Sequence, residues 1–222
     1  YYVEPSHPKD MGSKTVESIA AEIVNDIEVG VDGTGIRAGV IGEVGASWPL
    51  TPNERKSLQA SAIAQRKTGA AITIHTARDD RSPLEIAEVL IEAGADMTRV
   101  AFGHMDRSDP NMDVFLQIAK LGSYLEFDLF GRETWVYPHA NMNMITDGQR
   151  VDTVRALIDK GLIKQILISH DVSFKNRLDR FGGCGYHHIM VSVLPDMRRK
   201  GITEDQIKQI MVRNPRALFT FQ

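Results

Sequence analysis

The chain has 222 residues, a length that suits one large domain or two small ones. Its 42% hydrophobic and 25% charged content is ordinary for a globular protein and argues against a disordered or fibrous chain. A net charge of -3 speaks against a dedicated nucleic-acid binder, no apolar run reaches the roughly 18 residues of a membrane span, and the single cysteine, Cys184, excludes an intrachain disulfide. One thiol fits a reducing compartment, so a cytoplasmic location is expected.

Tyr1-Tyr2-Val3 reads as the end of a strand that began earlier, and the chain therefore reads as the later part of a longer protein. Ser13 is placed to cap a helix over about 14–29, where Val16, Ile19, Ala20, Ile23, Val24 and Ile27 follow the spacing of one buried face. Ala38 to Glu43 is a nearly all-apolar run of the kind found in strands buried on both faces. Thr51-Pro52-Asn53-Glu54 opens a helix with a capping box, and Gly69 closes it. A strand follows over 71–75. Ser82-Pro83-Leu84-Glu85 predicts a second capping box and a helix to about Ala93. The pattern continues with a strand at 99–104, a helix at 110–121, a strand at 122–127, a helix capped by Thr146 and running to Lys160, and a strand at 165–171. A Gly-rich segment leads into a helix at 189–199, and Thr203 starts the last one.

Strands alternating with helices at this spacing make βα crossovers on a parallel sheet. No linker or low-complexity stretch divides 1–222, which reads as a single domain. Polar residues stand at the ends of four separate strands: Glu43, His75, His104 and Asp171. Open sheets bind at one switch-point crevice, whereas a (β/α)8 TIM barrel builds its site from many strand ends. The barrel is favoured. Only about five strands can be counted against the eight of a barrel, so an incomplete barrel is expected, about strands three or four to eight, its N-terminal strands lying before Tyr1.

Each polar residue alone has a plain structural reading. A strand-end histidine is most often a hydrogen-bonded loop residue, Glu43 could pair with an arginine, and Asp171 could cap a helix. Converging, two imidazoles and two carboxylates suit Zn²⁺, Mn²⁺ or Fe²⁺. Such an ion lowers the pKa of water towards about 7, and Asp171 would be the proton acceptor.

The segments Gly42-Glu43-Val44-Gly45, His75-Thr76, Gly103-His104-Met105-Asp106 and Ser169-His170-Asp171, with the closing Asn214-Pro215-Arg216-Ala217-Leu218-Phe219, resemble in this order the phosphotriesterase family of the amidohydrolase superfamily, and most closely its phosphotriesterase-related branch. The resemblance covers essentially the whole chain. It implies a barrel with two divalent metal ions, zinc being expected. It implies that His75 and His104 are ligands from strands five and six, that Asp171 is the strand-eight ligand and general base, and that Glu43 bridges the ions. The family also uses a His-x-His at the end of strand one. No His-x-His occurs here: His187 and His188 are adjacent, and His7 and His139 are isolated. Those ligands are expected upstream, or the chain is a metal-deficient product.

The resemblance further implies hydrolysis of a small amide, an N-acyl amino compound of the N-acetyltaurine type. The alternatives are lactone or phosphotriester hydrolysis, or a non-catalytic truncated barrel. A small-molecule substrate is expected, with no nucleic acid and no membrane partner, and the open strand edges of a partial barrel make a homodimer an expectation. Tyr2, Arg107, Arg132 and Tyr186 are candidates for lining the substrate pocket, as are Glu4 and the cations Lys175, Arg177 and Arg180 of the long segment Val172–His188; an ordinary solvated surface is an equal reading for each. Gly33-Thr34-Gly35 precedes a strand instead of following one and is a turn, not a phosphate loop. Cys184 has no identifiable base and reads as an inert loop thiol.

Overall fold

The computed structural model describes residues 1–107, 110–133, 136–137 and 142–221. The chain forms two compact units, one of Tyr1–Gly103, Met112–Tyr124 and Arg216–Gln222, the other of His104–Asn111 and Leu125–Pro215. In the first unit the elements alternate as expected: α1 (Val16–Glu28), β1 (Ile41–Gly45), α2 (Pro52–Thr68), β2 (Ile72–His75), α3 (Ser82–Glu92), β3 (Val100–Gly103) and α4 (Met112–Lys120). The strands are parallel. Ile41 pairs with Ile72 and Gly45 with His75, and His75 in turn pairs with Gly103. Val100 to Gly103 is buried throughout, which is why that strand reads as a continuous apolar run. Met11 packs with Ile19 and Ala20 of α1 and with Ala60 of α2.

Helix ends follow their caps. Thr51 accepts from the Glu54 amide, Glu54 answers the Thr51 amide, and Gly69 ends α2 in the left-handed conformation. Three expectations change. Thr15, not Ser13, caps α1, because its hydroxyl reaches the Ser18 amide while Ser13 bonds back to Asp10. Ser82 is a helical residue, not a cap: its hydroxyl accepts from the Ala77 amide at 3.0 Å, so the second capping box does not form. Tyr1 to Val3 is not a strand, although the Tyr1 carbonyl accepts from the Gly45 amide at 3.2 Å.

β1 is displaced from 38–43 to Ile41–Gly45, so Glu43 lies inside the strand and not at its end. The pairing with β2 shifts between Ile41 and Val44. Gly42 sits there at φ 134, and a Cβ on it would come within 2.5 Å of the Thr73 carbonyl oxygen and hydroxyl. This irregularity breaks the alternation and leaves Gly42 and Glu43 both exposed between buried Ile41 and Val44.

In the second unit, Leu125–Phe127 of β4 (Tyr124–Phe127) pair in parallel with Ile166–Ile168 of β7. A short antiparallel pair, β5 (Val136–Tyr137) and β6 (Met142–Asn143), stands between them in sequence. α5 (Asp147–Asp159) carries the expected Thr146–Gln149 capping box. A π-wound turn, Ile189–Val193, runs into α6 (Leu194–Arg199), and α7 (Glu204–Lys208) continues through a second such turn to α8 (Asn214–Phe219). The buried Asn214 amide donates to the Ile163 and Ile166 carbonyls at 2.7 Å each, tying the closing segment to the start of β7. Among the described residues no helix is long and apolar enough to cross a membrane.

Candidate metal centre

In the first unit Glu43 and His75 meet. Glu43 Oε2 lies 3.1 Å from His75 Nδ1. Their strands hold them level, since the neighbouring Gly45 pairs with His75. Tyr2 stands over the imidazole edge, its ring 4.6 Å from the His75 ring and its hydroxyl 3.0 Å from both ring nitrogens. The position of Tyr2 depends on Gly45, where any Cβ would fall 2.5 Å from the Val3 amide nitrogen. Glu4 turns elsewhere: its carboxylate accepts from Thr51 and Asn53 at the start of α2.

In the second unit His104 directly follows Gly103, the residue that pairs with His75, and adopts a left-handed φ of 58. Its side chain is buried, and Nδ1 lies 2.7 Å from Asp128 Oδ1 while its amide donates to Asp128 Oδ2 at 3.1 Å. A carboxylate that is ionised can only accept, so this contact suits an imidazole that donates from Nδ1. This carboxylate–imidazole arrangement is the usual support of a metal-bound histidine. Asp128 was not among the sequence candidates, yet it stands one residue beyond β4 and belongs to the same class of strand-end carboxylates. Beneath it, Asp106 is fully buried and accepts the Asp128 and Leu129 amides at 3.1 and 3.0 Å. Burial pushes the Asp106 carboxyl up, the Asp128 charge pushes the same way, and the Arg150 guanidinium opposes both.

Asp171 lies three residues past β7 with φ 39, and its Oδ2 is 2.7 Å from Arg132 Nη2. Arg132 therefore sits against the expected general base. Arg107 is buried, not a solvated loop cation. Tyr186 is exposed; its ring packs edge-on to His170 at 5.8 Å, and its carbonyl bonds His170 Nε2. The long segment after Asp171 is pinned by Arg177, which is buried and donates to the His170 carbonyl at 2.9 Å. Burial and the charges of Asp147 and Glu133 push the Cys184 thiol up, the opposite of what a nucleophile needs. His139 lies outside the described residues.

Glu43 and His75 of the first unit thus offer a carboxylate and an imidazole, and His104 of the second unit offers a further imidazole. Carboxylate and imidazole donors suit a divalent ion of the zinc, manganese or iron type. The fit is supported by the 3.1 Å separation of the Glu43 and His75 ligand atoms, which two donors about 2.0–2.2 Å from one ion can span, and by the Asp128 carboxylate on His104 Nδ1, the usual support of a metal-bound histidine.

Residues 1–219 match the phosphotriesterase family. The chain belongs to the phosphotriesterase family. A phosphotriesterase-related protein of Nematostella vectensis is 45% identical over 224 residues, covering 100% of this chain and 64% of its own length. An N-acetyltaurine hydrolase of Danio rerio is 43% identical over 223 residues, again covering 100% of this chain and 64% of its own length. The chain thus spans 64% of the length of these curated relatives. A solved structure, a resiniferatoxin-binding protein of Rhodobacter sphaeroides, superposes with a TM-score of 0.95 at 34% identity over 99% of this chain and 61% of that one. The fold is accordingly α/β, of the (β/α)8 TIM-barrel type used by phosphotriesterase-family hydrolases.

Proposed function

We propose that this protein is a metal-dependent hydrolase of a small amide, an N-acyl amino compound of the N-acetyltaurine type, using two divalent ions, zinc in the first instance. The observation that carries the reading is His104, whose Nδ1 is engaged by the Asp128 carboxylate at 2.7 Å, the support typical of a metal-ligating histidine. Relatives named N-acetyltaurine hydrolase, at 43% identity in Danio rerio and 41% in Homo sapiens, support the substrate class.

Glu43, His75, His104 and Asp171 would hold the ions. When bound, they supply an acidified water and a Lewis acid for the scissile carbonyl. Asp171 takes a proton from the attacking water at a carboxylate oxygen. The water oxygen bonds to the carbonyl carbon, the carbon–nitrogen bond breaks, and Asp171 returns the proton to the leaving nitrogen, so that water and amide become carboxylic acid and amine, which ionise to carboxylate and ammonium. Arg132 fixes the Asp171 carboxylate during both transfers.

The test is hydrolysis of N-acetyltaurine by the zinc-loaded protein, followed as taurine release, with Asp171→Asn in parallel. Release that is lost in the variant while the circular-dichroism spectrum is retained is the expected result. Lactone or phosphotriester turnover without amide turnover would overturn the substrate class. Equal activity in Asp171→Asn would overturn the role of Asp171.

A further inference from the structure

Arg150 has no solvent exposure, and neither does its partner Asp106. Its Nε donates to Asp106 Oδ2 at 2.7 Å and its Nη1 to Asp147 Oδ1 at 3.0 Å. Asp106 is thereby held where it accepts the amides of Asp128 and Leu129. Asp128 in turn grips His104 at both the amide and the ring. On its other side, Asp147 accepts from His188 Nε2 at 2.6 Å and from the Gly131 amide at 2.9 Å. All these residues belong to the second unit.

Stability alone does not account for this arrangement. A buried ion pair is often matched or surpassed by apolar residues of the same volume. Arg150 moreover leaves its Nη2 buried without a hydrogen-bond partner among the described residues, a cost that calls for an explanation. The guanidinium fork does what a methylene stem cannot: it fixes two carboxylates at once, and one of them sets the backbone that carries Asp128.

We propose that Arg150 is a positioning residue for His104: by clamping Asp106 it fixes the Asp128 and Leu129 amides, and so keeps the Asp128 carboxylate on the imidazole, with Nδ1 protonated. This deepens the reading of His104 as a metal ligand and rests on it.

The decisive readout is the tautomer of His104 in metal-free protein labelled with ¹⁵N-histidine, taken from long-range proton–nitrogen correlation spectra. In the unaltered protein His104 shows one tautomer, protonated at Nδ1, with slow exchange of that proton. In Arg150→Met both tautomers are populated and the ring proton exchanges about 10-fold faster or more, as expected for one lost charge-assisted hydrogen bond. The histidines outside the network keep their signals, which a general loosening of the fold would not allow. Arg150→Lys retains a cation on Asp106 but cannot span both carboxylates, and falls between the two. An unchanged His104 tautomer and exchange rate in Arg150→Met overturn the proposal, as does a change shared equally by every histidine. If Arg150→Met does not fold, Arg150→Lys decides alone, and exchange at the rate of the unaltered protein overturns it. Titrating the unaltered protein with Zn²⁺ separates the underlying reading: a His104 Nε2 signal that does not move refutes His104 as a ligand, whatever the Arg150 variants do.

Discussion

Arg132 Nη2 lies 2.7 Å from Asp171 Oδ2, and the same nitrogen donates to the Asp171 carbonyl at 3.2 Å and to Ser173 Oγ at 3.0 Å. One guanidinium nitrogen thus holds both the side chain and the backbone of a residue in the left-handed region, where non-glycine residues are uncommon. A proton acceptor works only from a fixed position. Arg132→Met is therefore expected to lower kcat by about 10–100-fold, the range for removing a partner that orients a metal-site ligand, with a smaller change in KM. Steady-state kinetics on the zinc-loaded protein check this, and an unchanged kcat would detach Arg132 from Asp171.

Glu43 supplies the second prediction. Its carboxylate reaches His75 Nδ1 at 3.1 Å from a strand irregularity that turns it out of the alternating pattern. Glu43→Gln keeps the shape and removes the charge. Zinc affinity should drop by about 10–100-fold, read by competition with a chromophoric chelator, while the melting temperature of the metal-free protein changes little. Retention of zinc at the original affinity would remove Glu43 from the ligand set.

Much of this was legible in the sequence, for identifiable reasons. Thr51-Pro52-Asn53-Glu54 and Thr146-Asp147-Gly148-Gln149 are local devices, and α2 and α5 begin where they say. The parallel strands were visible because Val100 to Gly103 and Ile166 to Ile168 are short apolar runs. His75 and His104 stood out as polar residues closing such runs. The losses are equally physical. The apolar run places Glu43 at a strand end because the register shift between Ile41 and Val44 leaves no mark on periodicity. Ser82 was read as a cap because the same hydroxyl can serve Ala77 instead, a choice made by the loop and not by the tetrapeptide. Nothing in the sequence singles out Arg150 within α5; only the packed unit brings Asp106, 44 positions away, against its Nε.

The backbone at Gly42 gives a stability prediction. Its φ of 134 is one that L side chains rarely adopt, and a Cβ would sit 2.5 Å from two Thr73 oxygens, one of them on the backbone. Gly42→Ala should destabilise the protein by about 1–3 kcal/mol through overpacking alone, with backbone strain in addition. Chemical denaturation checks this. A midpoint equal to that of the unaltered protein would mean that β1 can shift without cost, and the exposure of Glu43 would then not depend on the irregularity.

Glu54 gives a pH dependence. Its buried carboxylate accepts the Glu4 amide at 3.0 Å, the Ser47 amide and hydroxyl at 3.0 and 2.7 Å, and the Thr51 amide at 3.1 Å. Burial pulls its pKa up, but these donors outweigh burial and the net shift is downward. The unfolded chain therefore binds a proton at Glu54 more readily than the folded one. The stabilisation is present above the ordinary glutamate value of about 4.3 and is lost as pH falls through the lower folded value. Glu54→Gln sets an amide NH2 against this ring of donors and removes the titration. It should cost about 1–3 kcal/mol at neutral pH, the price of an unmet buried hydrogen-bonding group. The gap to the unaltered protein should then narrow as pH is lowered from about 6 to about 3. Denaturation at a series of pH values measures both. A gap that stays constant to the acid end would mean that Glu54 is not held ionised by its donors. The link between the segment carrying Tyr2 and the start of α2 would then have to come from packing instead of charge.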